Sequence, residues 1–179
     1  RFENISKLDR LQKLFDSFGA KATYLTTYSV IKSSAVNVLK GIAKTADCEI
    51  GTHLHAWETP PFESQIKRDG SYLHQYPCGV QKEKLLNLDS LISETFGEKP
   101  VSYRGGRYSF DRNIVSLLME NGYLIDTSVT PGISWENDGG PNFKKYNAKD
   151  YFLSRKGKEM LEVPVSIKIK SNIPALSKF

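Results

Sequence analysis

Stretches with helical spacing of apolar residues alternate with short β-branched and aromatic runs along the whole of this 179-residue chain. Nothing else in the sequence constrains the fold as strongly. Ile5, Leu8, Leu11, Leu14 and Phe15 recur at helical spacing, and Gly19 follows as a helix stop. Ala22 to Thr26 reads as a strand, and about Val30 to Ala43 as a helix. Cys48 to Gly51 reads as a short strand running into His53, followed by a long loop from Trp57 to Gly79. A helix is predicted over about Val80 to Phe96, ended by Gly97 and followed by Pro100. Val101 to Arg104 is the next strand, about Asp111 to Asn121 a helix with Asp111 as N-cap, and Tyr123 to Asp126 another strand. After a second loop, Thr127 to Asp150, come short strands at Tyr151 to Leu153 and Leu161 to Val163. Helices and strands that alternate in this way build a largely parallel sheet covered by helices, either a barrel or a doubly wound sheet.

A chain of this length makes one domain with a sizeable core. Its 39% hydrophobic and 25% charged residues belong to an ordinary folded protein, not to a disordered or fibrous one. No apolar run approaches the roughly 18 to 20 residues that span a bilayer, and the opening Arg1-Phe2-Glu3-Asn4 lacks the apolar stretch of a secretory signal. The formal charge is +5. Its basic residues at Lys144-Lys145, Arg155-Lys156-Lys158 and Lys168-Lys170 are interleaved with Asp150, Glu159 and Glu162. That pattern reads as a solvated face, and no nucleic-acid partner is expected. Cys48 and Cys78 are too few for a disulfide scaffold and read as free thiols. The sequence specifies no oligomeric state.

In parallel α/β folds, chemistry collects where strands run out into the following loops. At these places stand His53 and His55, then Arg104, then Asp126. Two histidines at i and i+2 of an extended segment point to one face, so their ring nitrogens can converge on a divalent ion; histidines at a strand end also commonly bind loop carbonyls, and the spacing leaves both readings open. Arg104 is either part of a site or a structural partner at the strand end. Trp57, Phe62, Tyr72, Tyr76 and Trp135 either stack on sugar rings or pack their loops down. Arg107 either reaches an acidic sugar or pairs with a nearby carboxylate, and His74 reads as a surface residue.

The stretch Glu49-Ile50-Gly51-Thr52-His53 resembles the second motif of NodB-type polysaccharide deacetylases, which delivers the first metal-binding histidine. Lys21-Ala22-Thr23-Tyr24-Leu25 is similar to a strand region of that family. Ser102-Tyr103-Arg104-Gly105-Gly106-Arg107-Tyr108 resembles its third, arginine-bearing motif. Asp126 and Trp135 fall where the fourth motif's aspartate and tryptophan lie, and Glu162-Val163-Pro164 resembles the strand leading towards the fifth. The family's usual second histidine position is taken by Trp57, and His55 replaces it in a His-Leu-His-x-Trp pattern resembling a subgroup.

The resemblance implies an irregular or incomplete (β/α) barrel of the polysaccharide deacetylase type, with mostly parallel strands. It implies metal-dependent hydrolysis of N-acetyl groups on a polysaccharide or glycan intermediate. His53 and His55 would hold a divalent metal, zinc above all. Arg104 would keep the family's base aspartate ionised, and Asp126 would orient its acid histidine. Trp57, Tyr72, Arg107 and Trp135 would line the glycan. The family's Asp-Asp motif would precede Arg1, and its acid histidine has no counterpart from Leu161 to Phe179, so a single domain truncated at both ends is expected. Two rivals follow: a non-catalytic glycan-binding pseudo-deacetylase, and a metal-dependent amidohydrolase, which needs histidines beyond His74 that the sequence lacks.

Overall fold

The computed structural model describes residues 2–62 and 70–167. Lys168 and Lys170, and the segment 168–179 searched for an acid histidine, lie outside the described residues.

A 3-10 turn at Ile5–Lys7 leads into α1, Leu8–Ser17, and then β1, Ala22–Thr26. The single helix expected from about residue 30 to 43 is two, α2 at Tyr28–Ile31 and α3 at Val36–Thr45. Ser33 explains the break: its hydroxyl donates to the Val30 carbonyl at 2.8 Å and accepts from the Ala35 N–H at 3.2 Å. A serine side chain thereby competes with the helical ladder. β2 runs Cys48–Leu54, longer than its apolar residues suggested, so His53 is a strand residue. α4 is Cys78–Phe96, which places Cys78 in the first helical turn, and Gly97 ends it in the left-handed conformation at φ 87°. β3 is Ser102–Gly105, α5 is Arg112–Glu120 and β4 is only Ile125–Asp126. Asp111 caps α5 as the sequence indicates, accepting the Ile114 N–H at 2.8 Å.

The last two strands, β5 at Tyr151–Arg155 and β6 at Lys158–Glu162, pair antiparallel. They join through Lys156 and Gly157, both at positive φ, the combination that a two-residue hairpin turn demands. The resulting six-stranded sheet has the order β1-β2-β3-β4-β6-β5 and is parallel up to the final hairpin. It is open among the described residues, an arc of a barrel rather than a closed one. α1 packs on α3, α3 on α4, α4 on α5, and α5 on β6. Successive helices therefore lie side by side in one layer, as around a barrel, where a doubly wound sheet would distribute them over two faces.

The core between helices and sheet is built from Leu54, Leu85, Leu88, Ile92, Tyr103, Ile114, Leu118, Tyr123 and Met160, all almost fully buried. Each large side chain contributes about 1.5 to 3 kcal/mol by leaving water. Gly51 shows why the Glu-Ile-Gly stretch needs its glycine: a Cβ there would stand 2.7 Å from Leu25 Cδ2 and 2.8 Å from the Ser102 carbonyl. The two cysteines are unpaired thiols. Among the described residues, no helix is long and apolar enough to cross a membrane.

Candidate functional site

The parallel ladder sets His53 opposite Arg104, Tyr103 opposite Asp126, and Asp126 opposite Glu162. Four strands thus deliver polar groups to one end of the sheet, where such folds carry their chemistry. His53 and His55 converge there: their Nε2 atoms are 2.7 Å apart, with the ring centroids 4.4 Å apart. His53 Nδ1 lies 3.0 Å from the Arg104 carbonyl, which can only accept, so Nδ1 carries the proton. His53 Nε2 is left with a lone pair, and at 2.7 Å the Nε2–H of His55 donates to it. The proton shared between the rings stands where a cation would be held. This is the tautomer of a metal-ligating histidine, its far nitrogen pinned by a carbonyl.

Burial drives the His53 ionisation down to about 4, with the neighbouring His55 adding to the effect and the Arg104 carbonyl opposing it. Burial also lowers His55, against the charge of Glu58. Both rings are therefore neutral at physiological pH and ready as ligands. The unfolded histidine titrates near 6.5, so the unfolded chain binds a proton that folded His53 refuses between about pH 6.5 and 4. The contribution of His53 to stability is full above that window and falls away through it, by about 2 to 3 kcal/mol. Denaturant unfolding at pH 7 and pH 4.5 should show a steeper loss in the parent than in His53→Gln. Equal losses would refute the assignment.

The turn after His55 is tied to its carbonyl, which accepts the N–H of Thr59 at 3.2 Å and the Thr59 hydroxyl at 2.9 Å. Glu58 on this turn accepts from Ser29 at 2.8 Å. Trp57, 46% exposed, tilts against His55 with centroids 4.4 Å apart. Arg104 reaches across to β4, donating from Nε to the Thr127 carbonyl at 3.0 Å and from Nη2 to Thr127 Oγ1 at 3.1 Å.

Arg107 and Tyr108 both adopt left-handed backbone, at φ 53° and 60°. Non-glycine residues hold such conformations only where the surroundings insist. The turn sends Arg107 to Asp138, 3.0 Å away, and over the Tyr72 ring at 4.9 Å. It also stacks Tyr108 on Trp135, centroids 5.6 Å apart. The Trp135 indole N–H donates to Thr130 at 2.9 Å. Arg107 therefore has the carboxylate partner that its ordinary reading requires. Tyr72 corrects an expectation: it is fully buried beneath Gly140, so its ring packs the loop and offers no face to a sugar. Asp126 is likewise fully buried and touches no solvent-borne ligand directly. His74 bonds the Gly139 carbonyl at 3.0 Å and ties the two long loops together.

Ser128 and Glu58 escaped the sequence reading, and Glu162, quoted there within Glu162-Val163-Pro164, received no role at this end. Its signal is a carboxylate interrupting the apolar run Met160-Leu161-Val163, at the end of β6 as Asp126 is at the end of β4. As a donor set, the histidine pair fits a divalent cation at two positions. No group of three metal-ligating side chains occurs among the described residues.

No protein-family profile and no curated protein matches the chain. Solved structures do. A Mycobacterium smegmatis protein assigned as a polysaccharide deacetylase aligns over 88% of this chain and 45% of its own, with TM-score 0.64 and 22% identity. An allantoinase aligns over 92% of this chain and 46% of its own, with TM-score 0.59 and 18% identity. A CE4 family pseudoenzyme from Bacillus anthracis aligns over 76% of this chain and 43% of its own, with TM-score 0.55 and 15% identity. The chain therefore has the (β/α) fold of the polysaccharide deacetylases, and it spans less than half the length of each of these proteins.

Proposed function

We propose that this chain supplies the histidine-bearing part of a NodB-type, metal-dependent polysaccharide deacetylase that removes N-acetyl groups from a glycan. The observation that carries the reading is the convergence of His53 Nε2 and His55 Nε2 at 2.7 Å, with His53 Nδ1 pinned by a carbonyl. The deacetylase fold of the solved relatives supports it.

His53 and His55 would hold the ion, zinc by the preference of imidazole nitrogen. When bound, it supplies Lewis-acid polarisation of the amide carbonyl and a nucleophilic water at neutral pH. The chain's own residues bind and orient. Neutral imidazoles at physiological pH cost no proton release on ligation. Arg104, held by Thr127, keeps a fixed positive charge beside His53 that can pair with the family's base carboxylate. Exposed Trp57 flanks the histidines, with Arg107 and Trp135 further along, so a sugar chain could lie across them. A third protein ligand, a base and an acid would come from outside the described residues.

Zinc and cobalt titration of the chain by calorimetry tests this. One equivalent should bind, and His53→Ala/His55→Ala should abolish it. If the parent binds no better than the double variant, the second reading takes over: a non-catalytic glycan-binding domain, supported by the pseudoenzyme among the relatives. The allantoinase relative keeps a cyclic amide as the control substrate for any longer protein that proves active.

A further inference from the structure

We propose that Asp126 and Glu162 form a buried carboxyl–carboxylate pair that strengthens the hold of the Arg104 carbonyl on His53 Nδ1–H, acting through Ser128 and the peptide group between Arg104 and Gly105. Its use rests on the reading of His53 as a metal ligand; its existence does not.

The two carboxyl groups sit opposite each other on neighbouring parallel strands, and both are fully buried. Each has one oxygen accounted for. Asp126 Oδ1 accepts the Ser128 hydroxyl at 2.5 Å, and Glu162 Oε1 accepts the Val129 N–H at 3.0 Å. The others, Asp126 Oδ2 and Glu162 Oε2, are buried and receive no N–H or hydroxyl from any described residue. The two groups are within hydrogen-bonding reach of each other. Two carboxylates so placed cannot both stay ionised away from water, and one proton between them satisfies both orphaned oxygens.

The surroundings decide which group keeps the proton. Burial and the charge of Asp126 push Glu162 up, against the Val129 N–H and Arg104. Asp126 is raised by burial too, but Ser128, Glu162 and the N–H groups of Thr127 and Ser128 hold it lower. The other titratable groups facing the pair are the phenols of Tyr103 on β3 and Tyr151 on β5, both pushed up by burial and so neutral. Glu162 is thus the donor and Asp126 the anion.

The anion strengthens every bond beyond it. The one hydroxyl proton of Ser128 is committed to Asp126, so Ser128 Oγ can only accept from the Gly105 N–H, 2.9 Å away. That N–H belongs to the same peptide group as the Arg104 carbonyl, which accepts Nδ1–H of His53 at 3.0 Å. Hydrogen bonds polarise one another along such a chain, so a carboxylate at its head makes the far carbonyl a stronger acceptor. The hold on His53 Nδ1–H is thereby tightened. Partners of this kind are worth about 10- to 100-fold in metal affinity.

The test reads the strength of the His53 Nδ1–H bond by the chemical shift of that proton in the metal-free chain at pH 7, alongside zinc affinity. The parent should show a downfield Nδ1–H. Ser128→Ala, which cuts the chain, should move that proton upfield and weaken zinc about tenfold. Glu162→Gln, whose amide can still donate to Asp126 and accept from Val129, should leave both unchanged. Should Ser128→Ala not fold, Asp126→Asn removes the charge at the head and should shift the proton in the same direction. An unmoved Nδ1–H in the folded Ser128→Ala chain, or in Asp126→Asn where that chain is needed, overturns the inference. If the proton responds as stated but the parent binds no zinc, the relay stands and the metal reading falls.

Discussion

Gly106→Ala is expected to unseat His55. An added Cβ would lie 2.5 Å from the Leu54 carbonyl, 2.8 Å from His55 Cδ2 and 2.9 Å from His55 Cα. Two of these three atoms are backbone at the end of β2, and neither can swing away like the tip of a long side chain. The ends of β2 and β3 must part, taking the His55 ring off its 2.7 Å approach to His53. Overpacking of this kind costs about 3 kcal/mol at its upper range, and zinc affinity should fall more than tenfold with it. Thermal unfolding and calorimetry on the same preparation measure both. Gly41→Ala is the control, because nothing lies within 4 Å of a Cβ there and the residue is inside α3. It should stabilise by about 0.5 to 1 kcal/mol. A Gly106→Ala chain that melts with the parent and binds zinc equally would mean that the strand ends are not packed as described.

Lys84→Met should cost about 2 to 4 kcal/mol, although it keeps most of the side-chain volume. Lys84 is only 1% exposed in the middle of α4. Its ammonium donates to the carbonyls of Thr59 and Pro61, each at 2.6 Å, and sits over the Tyr76 ring at 4.6 Å. Removing the charge leaves two inward-facing carbonyls without this donor. Since Thr59 also bonds the His55 carbonyl, the segment from His55 to Pro61 should open first. Amide hydrogen exchange at Glu58 and Thr59 should accelerate well before global unfolding. Unchanged exchange there, with full stability, would show that α4 does not anchor this segment.

Much of the fold was legible because the local signals were redundant. β1 matched its β-branched run, α5 its aspartate cap, and α4 its terminal glycine. The split between α2 and α3 was not legible, because apolar spacing carries through Lys32 to Ala35 while the interruption comes from one serine hydroxyl. The β5–β6 hairpin was hidden for a similar reason: Lys156 occupies a left-handed position that sequence statistics reserve for glycine or asparagine. At the site, the i, i+2 spacing announced that two histidines would share a face, and they do. Alone it could not say that a carbonyl would pin one ring, since that carbonyl comes from β3, about fifty residues away. Tyr72 shows the opposite failure. An aromatic in a long loop looks available, and only the packing of Gly140 on its ring reveals that it is buried. The role of Glu162 went unread, although the residue was quoted within a motif, because a single carboxylate in a strand has no periodicity; its meaning depends on Asp126 being its neighbour in the sheet.

The contact between β3 and His53 is made by a peptide group, which every residue possesses. Drift in the identity of residue 104 leaves its carbonyl in place, while residue 105 is held to glycine for another reason, the collision of any Cβ there with the Ser109 backbone. An inherited feature of that kind leaves little trace in a comparison of sequences. Among distant relatives it can persist where every neighbouring side chain has changed, and structures, not residue identities, are where it can be recognised.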